Sequence, residues 1–315
     1  MIKRSTFRTL FYSILLGIVV LVAISCEETI DLGIEEEETR LVVSCNFEPD
    51  TVFEVLVSSS RSALSIDELT FFDNAVVRLF EGEDLIENLS STFDFEIDAP
   101  IFRSDFRPKE GVLYRIEVEA PDLEPVSASD IIPPKVPLES FEISNIRPQF
   151  IGNTSFVQYV MDVRVVFEDP PEEVNFYHLN FFFEETQTFI DGADTFRLNL
   201  GRSPLILENT PNDQPFLLHH KKGVLIDDQI TNTQRLEYQF EATTTAVQLD
   251  QSPQNIFAEL RNTTSSYYHY HNSLTQQSKQ RDLPLAAPVI LFNNIVGGYG
   301  IFAGYNTTIL SAQLQ

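Results

Sequence analysis

Strict alternation in Leu113-Tyr114-Arg115-Ile116-Glu117-Val118-Glu119 constrains this chain more than any other feature. A period of two sends successive side chains to opposite faces of an extended strand, whereas a helix would scatter the apolar members around its circumference. Similar β-rich runs occupy residues 53–58 and 75–80, and the turn segments Glu81-Gly82-Glu83-Asp84 and Lys109-Glu110-Gly111 punctuate them. Short strands at this spacing, with no long helical pattern between them, predict an Ig-like β-sandwich over residues 40–132.

The run Ile131-Ile132-Pro133-Pro134-Lys135-Val136-Pro137 cannot continue a helix or a central strand, because proline lacks the amide proton and fixes φ. Residues 133–137 are therefore the expected linker, and residues 138–315 a second β-rich domain. Within it, 141–143, 157–167 and 177–183 read as strands, with Glu168-Asp169-Pro170-Pro171 as a turn. A helix is predicted over 253–279. Ser252 and Pro253 supply its start, and Ile256, Leu260, Tyr267, His271 and Leu274 line one face, with Phe257, Thr264 and Tyr268 alongside. Residues 289–292 and 301–305 read as closing strands. The expected fold is thus mainly β, two sandwich-like domains, the second carrying one long helix.

The amino terminus carries a different message. Lys3, Arg4 and Arg8 precede an apolar stretch from Leu10 to Ile24, and Ala23-Ile24-Ser25 leads into Cys26. A basic start, a short apolar segment and a small residue before the cut describe a secretory leader over 1–25. A cysteine just after the cut matches a bacterial lipoprotein signal, so Cys26 is expected to carry lipid and to anchor the protein to a membrane. The apolar run of about 15 residues falls short of the roughly 20 a spanning helix needs. Glu27, Glu28 and the acidic residues behind them resemble the surface-export signal of Bacteroidota lipoproteins. They read as export signal and tether (26–39), which points to the outer face of the outer membrane. Lipidation of Cys26 leaves Cys45 without an intrachain partner, and its strand-like surroundings predict burial as a small hydrophobe.

The chain holds 47 acidic against 21 basic residues, a formal charge of −26. That balance excludes phosphate-neutralising contact with nucleic acid and charge attraction to anionic lipid. His269 and His271 invite a metal reading, but residues two apart on a helix point in different directions. His219-His220-Lys221-Lys222 reads as a solvated turn, and Asp191, Asp194, Asp227 and Asp228 as exposed turns without calcium-loop spacing. Gly297-Gly298-Tyr299-Gly300 lacks the following helix that a dinucleotide loop requires. Tyr267, Tyr268, Tyr270, Tyr299 and Tyr305 are the aromatics available to a sugar ligand, in a chain without Trp; they read as packing residues. Asp50-Thr51-Val52 resembles a short O-glycosylation sequon, making Thr51 a candidate modification site. No catalytic, cofactor-binding or metal-ligating residue is assigned, and no enzyme is expected.

The tail carries a family resemblance. Leu260-Arg261-Asn262, Tyr267-Tyr268-His269-Tyr270, Pro288-Val289 and the run from Asn293-Asn294-Ile295-Val296-Gly297-Gly298 to Gly304-Tyr305 resemble the closing signature of a Bacteroidota lipoprotein family, domain of unknown function 4249. Arg40-Leu41-Val42-Val43 and Val165-Val166-Phe167-Glu168-Asp169-Pro170 with Phe176-Tyr177 are similar to it as well. Cys45 departs from the small residue expected there. The resemblance implies a surface lipoprotein working beside a TonB-dependent outer-membrane transporter, and offers no catalytic motif to carry over. The resulting expectation is a non-enzymatic accessory or binding component of such a transporter. The alternatives are a structural or adhesive surface protein, and a hydrolase with a deep polar pocket in the second domain.

Overall fold

The computed structural model describes residues 38–61, 69–171, 174–191, 194–209, 216–220, 222–230, 234–248, 255–280 and 289–314. The elements in the first half are β1 (Leu41–Phe47), β2 (Glu54–Ser59), β3 (Val76–Glu81), β4 (Asp84–Asn88), β5 (Ser90–Asp94), β6 (Ala99–Arg103), β7 (Leu113–Glu119) and β8 (Val126–Ile131). Then come β9 (Leu138–Phe150), β10 (Phe156–Glu168), β11 (Phe176–Asp191), β12 (Asp194–Pro204), β13 (Ile206–Asn209), β14 (Phe216–His219) and β15 (Gly223–Asp227). The last are β16 (Arg235–Thr243), β17 (Val247–Gln248), β18 (Asn255–Thr263), the helix α1 (Ser265–Gln280) and β19 (Tyr299–Gln313). The protein is mainly β with one α-helix among the described residues, as the alternation predicts.

Two cores organise these strands. In the first, the sheet β4-β3-β7-β8 faces β1, β2 and β6. Alternate residues from both layers meet there: Leu41, Val43, Cys45 and Phe47 from β1, Tyr114, Ile116 and Val118 from β7. In the second, the sheet β13-β16-β10-β17, with β9 beside β10, faces β15, β11 and β18. Tyr177, Leu179, Phe181 and Phe183 of β11 interdigitate there with Val163, Val165 and Phe167 of β10 and with Tyr238 and Phe240 of β16. Burying a Phe or Leu side chain is worth roughly 1.5–3 kcal/mol, so each core has ample drive.

One strand joins the two sandwiches. Residues 299–304 of β19 run parallel to β1, with Val42 opposite Tyr299 and Phe47 opposite Gly304. The remainder runs antiparallel to β18, with Thr263 opposite Tyr305 and Asn255 opposite Gln313. The result is a ten-stranded sheet, β14-β15-β11-β18-β19-β1-β2-β6-β5 with β12 beside β11, inside one compact unit, 39–315. The expected partition into 40–132 and 138–315 therefore needs amending at the tail. Ile295 and Phe302 belong to the first core, where the Phe302 ring lies 4.6 Å from Phe47 and 6.2 Å from Phe53. The tail's glycines serve this crossing. A Cβ at Gly300 (φ +116°) would fall 1.9 Å from Val43 O, and one at Gly304 equally close to Ile131 O.

The proline-rich segment 133–137 is strapped down. Its carbonyls receive side-chain donors from the joining strands: Asn306 Nδ2 donates to Pro133 O (3.0 Å), Asn262 Nδ2 to Pro134 O (2.9 Å) and Thr308 Oγ1 to Val136 O (2.7 Å). Backbone carbonyls that cannot join a ladder are satisfied this way by side-chain donors.

The predicted helix 253–279 is corrected. Residues 255–263 form strand β18, whose burial alternates through Ile256, Ala258, Leu260 and Asn262. Among the described residues of that span, the helix begins at Ser265 and runs to Gln280. Ile256 and Leu260 sit four apart, a spacing that fits helix and strand alike; Ala258 between them decides for period two. Thr264 supplies the cap, its Oγ1 accepting from Tyr267 N at 3.4 Å and its carbonyl from Tyr268 N at 3.0 Å. Ser252 and Pro253 lie outside the described residues.

Candidate functional site: a histidine layer beneath the helix

Because odd-numbered residues of β11 fill the second core, His178 and Asn180 turn to the other face of the sheet. Register then sets their neighbours. His178 stands between Leu225 on β15 and Arg261 on β18, and Asn180 between Gly223 and Glu259. On the next strand His219 pairs with Gly223. The helix α1 lies over this face with Tyr267, His271 and Thr275 beneath it. Three imidazoles converge as a result. Ring centroids are 5.0 Å apart for His178–His219, 5.4 Å for His219–His271 and 6.0 Å for His178–His271.

Hydrogen bonding constrains the ring protons. Tyr267 Oη accepts from Arg261 Nη1 at 3.1 Å and lies 2.9 Å from His178 Nδ1. His178 Nε2 is buried without a partner among the described residues. Thr275 Oγ1 donates to His271 O at 2.7 Å and must accept from His219 Nδ1 at 2.5 Å. Both nitrogens of His271 are buried and without a partner among the described residues. Gly223 makes room: a Cβ there would meet Asn180 Oδ1 at 2.3 Å and His178 Nε2 at 3.1 Å.

Arg261 is the layer's cation. It pairs with Glu259 at 2.8 Å and lies 4.7 Å over the Tyr305 ring. Asn180 Nδ2 also donates to Glu259 (3.2 Å), and Tyr305 Oη donates to Glu48 (3.1 Å). Burial, reinforced by Arg261 and by the neighbouring rings, drives all three histidines toward the neutral form. His178 falls well below the ordinary imidazole value, His219 to about 4 and His271 to about 3. Neutral imidazoles could ligate a metal, yet no three His, Cys, Asp or Glu groups among the described residues are disposed to hold one. The layer's chemical capacity is proton uptake, and its structural work is to hold α1 on the sheet.

The sequence candidates fall into place around this layer. His269, on the opposite side of the helix from His271, is exposed and packs on Phe176 and Phe292. The reading of His219-His220 as a solvated turn holds for exposed His220 alone; His219 ends a strand under the helix. Asp228, read as an exposed turn, is buried, where its carboxylate accepts from Asn175 N at 2.7 Å. Asp191 and Asp194 pair at the end of the β11–β12 hairpin. Tyr267 and Tyr268 are buried, and Tyr270, Tyr299 and Tyr305 half-buried, so none is a free stacking platform. Thr51 is exposed in a turn, its hydroxyl on Glu48 O at 3.1 Å. Cys45 is buried and its thiol pushed up by burial. Cys26, Glu27 and Glu28 lie outside the described residues. His178, the most buried histidine, carried no sequence signal, since only register brings it under the helix.

The chain matches the family described as "Domain of unknown function (DUF4249)" over residues 27–310. It belongs to that family. In this DUF4249 protein, the resembling tail holds β19 in place: Asn294 Oδ1 accepts from Phe302 N (3.0 Å) and its Nδ2 donates to Phe302 O (2.7 Å), standing in for a strand neighbour. Arg261 and Tyr267, from the same signature, sit in the histidine layer. No curated protein matches the chain. Among solved structures it is similar to the three N-terminal domains of the bacteriophage RB49 Highly Immunogenic Outer Capsid protein (Hoc), at 14% identity and a TM-score of 0.20. That alignment covers 72% of this chain and 64% of the phage chain, so the chain spans less than two thirds of its length.

Proposed function

We propose that the protein is a non-enzymatic lipoprotein, anchored through Cys26 to the outer face of the outer membrane, where it serves as a binding accessory of a TonB-dependent transporter. The observation that carries this reading is the leader: Lys3, Arg4 and Arg8, an apolar run, a small residue, then Cys26 followed by Glu27 and Glu28. Several acyl chains on Cys26, each adding roughly 0.8 kcal/mol per buried CH2, would hold the chain durably. The layered β architecture suits a binding scaffold, with rigid sandwiches that present hairpin tips to partners.

Three experiments test it. Cys26→Ala should release the protein from the membrane fraction, and continued tight retention would contradict the anchor. Neutral replacements at Glu27 and Glu28 should leave the protein protected from protease added to intact cells. Purification from native membranes should recover a transporter; repeated recovery of the lipoprotein alone would sink the accessory role.

A further inference from the structure

One end of the ten-stranded sheet is left open. Among the described residues β5 pairs only with β6, so its outer row of backbone groups has no strand neighbour. An edge of this kind recruits another strand unless something blunts it. Beside it the sheet has a notch. The β6–β2 ladder lasts only from Glu54 to Val55, and further along β2 Ser58 bridges Phe71 instead, with Phe72 N donating to Val57 O at 3.0 Å. Between this segment and the β5–β6 hairpin opens a cavity of about 390 Å³, lined by Phe71, Asp73, Ser91, Thr92, Phe93 and Pro100.

The hairpin's turn displays apolar side chains. Phe95 is 89% exposed, Ile97 50% and Phe93 48%, and the two rings stand edge to face at 5.2 Å. The turn is firmly built: Asp94 Oδ1 accepts from Glu96 N (2.9 Å) and Ile97 N (3.4 Å), and Asp94 Oδ2 pairs with Arg103 at 2.8 Å. Exposed aromatics on a fixed support resemble a preorganised contact more than a collapse failure. Asp73 lines the cavity beside Phe93, and Glu96 and Asp98 alternate with Phe95 and Ile97 along the turn; among the described residues none of the three makes an ion pair.

We infer that this corner is a docking edge for an extended protein segment in which basic side chains alternate with apolar ones. The segment's backbone would add to β5 as a further strand. A Lys or Arg would enter the notch, its cation facing Asp73 and its stem lying on Phe71 and Phe93. The apolar residues would cover Phe95 and Ile97. Three carboxylates at the rim disfavour both bilayer insertion and an acidic partner, including a second copy of this chain, which carries a charge of −26. The inference is independent of the lipid anchor and of the transporter.

The test uses the full chain in detergent and a fluorescent peptide of alternating Lys and Val. Expected are saturable binding weakened by salt, and no binding by the Glu-for-Lys peptide. Methylating the amides along one edge of the peptide should abolish binding. Asp73→Lys and Phe95→Ser, both on exposed sites with unchanged melting, should each weaken it about tenfold or more. Failure of the Lys–Val peptide to bind, indifference to both variants, or tolerance of the methylated amides would each overturn the proposal. Self-association or vesicle binding abolished by Phe95→Ser would do so too, assigning the corner to a second copy or to lipid.

Discussion

Gly304→Ala isolates the crossing of β19 between the two sandwiches. The site has no unusual φ, so the substitution tests close approach alone. The added Cβ would lie 1.9 Å from Ile131 O, 2.7 Å from Ile131 C and 3.2 Å from Ile132 Cα. All three are backbone atoms, so no side chain can swing aside. Separation must grow by at least about 1.5 Å to reach ordinary contact, and it can do so only by moving β19 away from β8. Overpacking of this kind costs roughly 1–3 kcal/mol, sometimes more, and an immovable neighbour puts Gly304 at the upper end, about 3 kcal/mol. At about 2–4 °C per kcal/mol for a domain of this size class, the melting temperature should fall by about 6–12 °C. Gly82→Ala is the control. Gly82 has φ +60° but nothing within 4 Å of a new Cβ, so only the left-handed strain of about 1–2 kcal/mol applies. Both variants are read by thermal denaturation followed by circular dichroism. If Gly304→Ala melts no lower than Gly82→Ala, the reasoning about backbone contact is refuted.

Three other outcomes are expected. With His219 held near pKa 4 and His271 near 3, the unfolded chain binds more protons than the folded one once pH drops below about 6.5. The histidines' contribution is therefore complete above that pH and lost as pH falls toward 4. The carboxyls of half-buried Asp130 and Asp169 and of buried Asp228, raised by desolvation, act with the opposite sign, so the test is a difference: His271→Gln should flatten the slope of urea stability between pH 6.5 and 4. An unchanged slope would refute the assignment. Thr264→Ala removes the helix cap and a 2.6 Å hydrogen bond to Asp130, and should cost about 1–2 kcal/mol in urea denaturation; a loss under 0.3 kcal/mol would count against the cap. In Cys26→Ala protein, Cys45 should resist a thiol reagent until denaturant is added; rapid native labelling would contradict its burial.

Local alternation carried much of the fold. Residues 113–119 and 76–81 are strands because their apolar members recur at period two, and that pattern needs no distant partner to be read. The segment 255–263 defeated the same reasoning, because Ile256 and Leu260 satisfy both periods and the weakly apolar Ala258 between them was outweighed by the larger side chains. The site was legible in fragments: His271 and Tyr267 stood out near the helix, His219 in its pair and Arg261 in the tail signature, but nothing in the sequence joined them to His178. The joining agent is strand register, which local residue types encode poorly.

By itself, then, the sequence determined the β character, the surplus of negative charge, the burial of Cys45 and the apolar amino-terminal run that ends at acid-flanked Cys26, all properties of neighbouring residues. Only the tertiary structure decided that the last strand serves both sandwiches, that Asn262, Asn306 and Thr308 fasten the proline segment, and that three neutral histidines share one layer under the helix. Those facts arise from contacts between residues far apart along the chain. Such contacts depend on the backbone approach that Gly300 and Gly304 permit, and on the register that sets His178 beside Arg261.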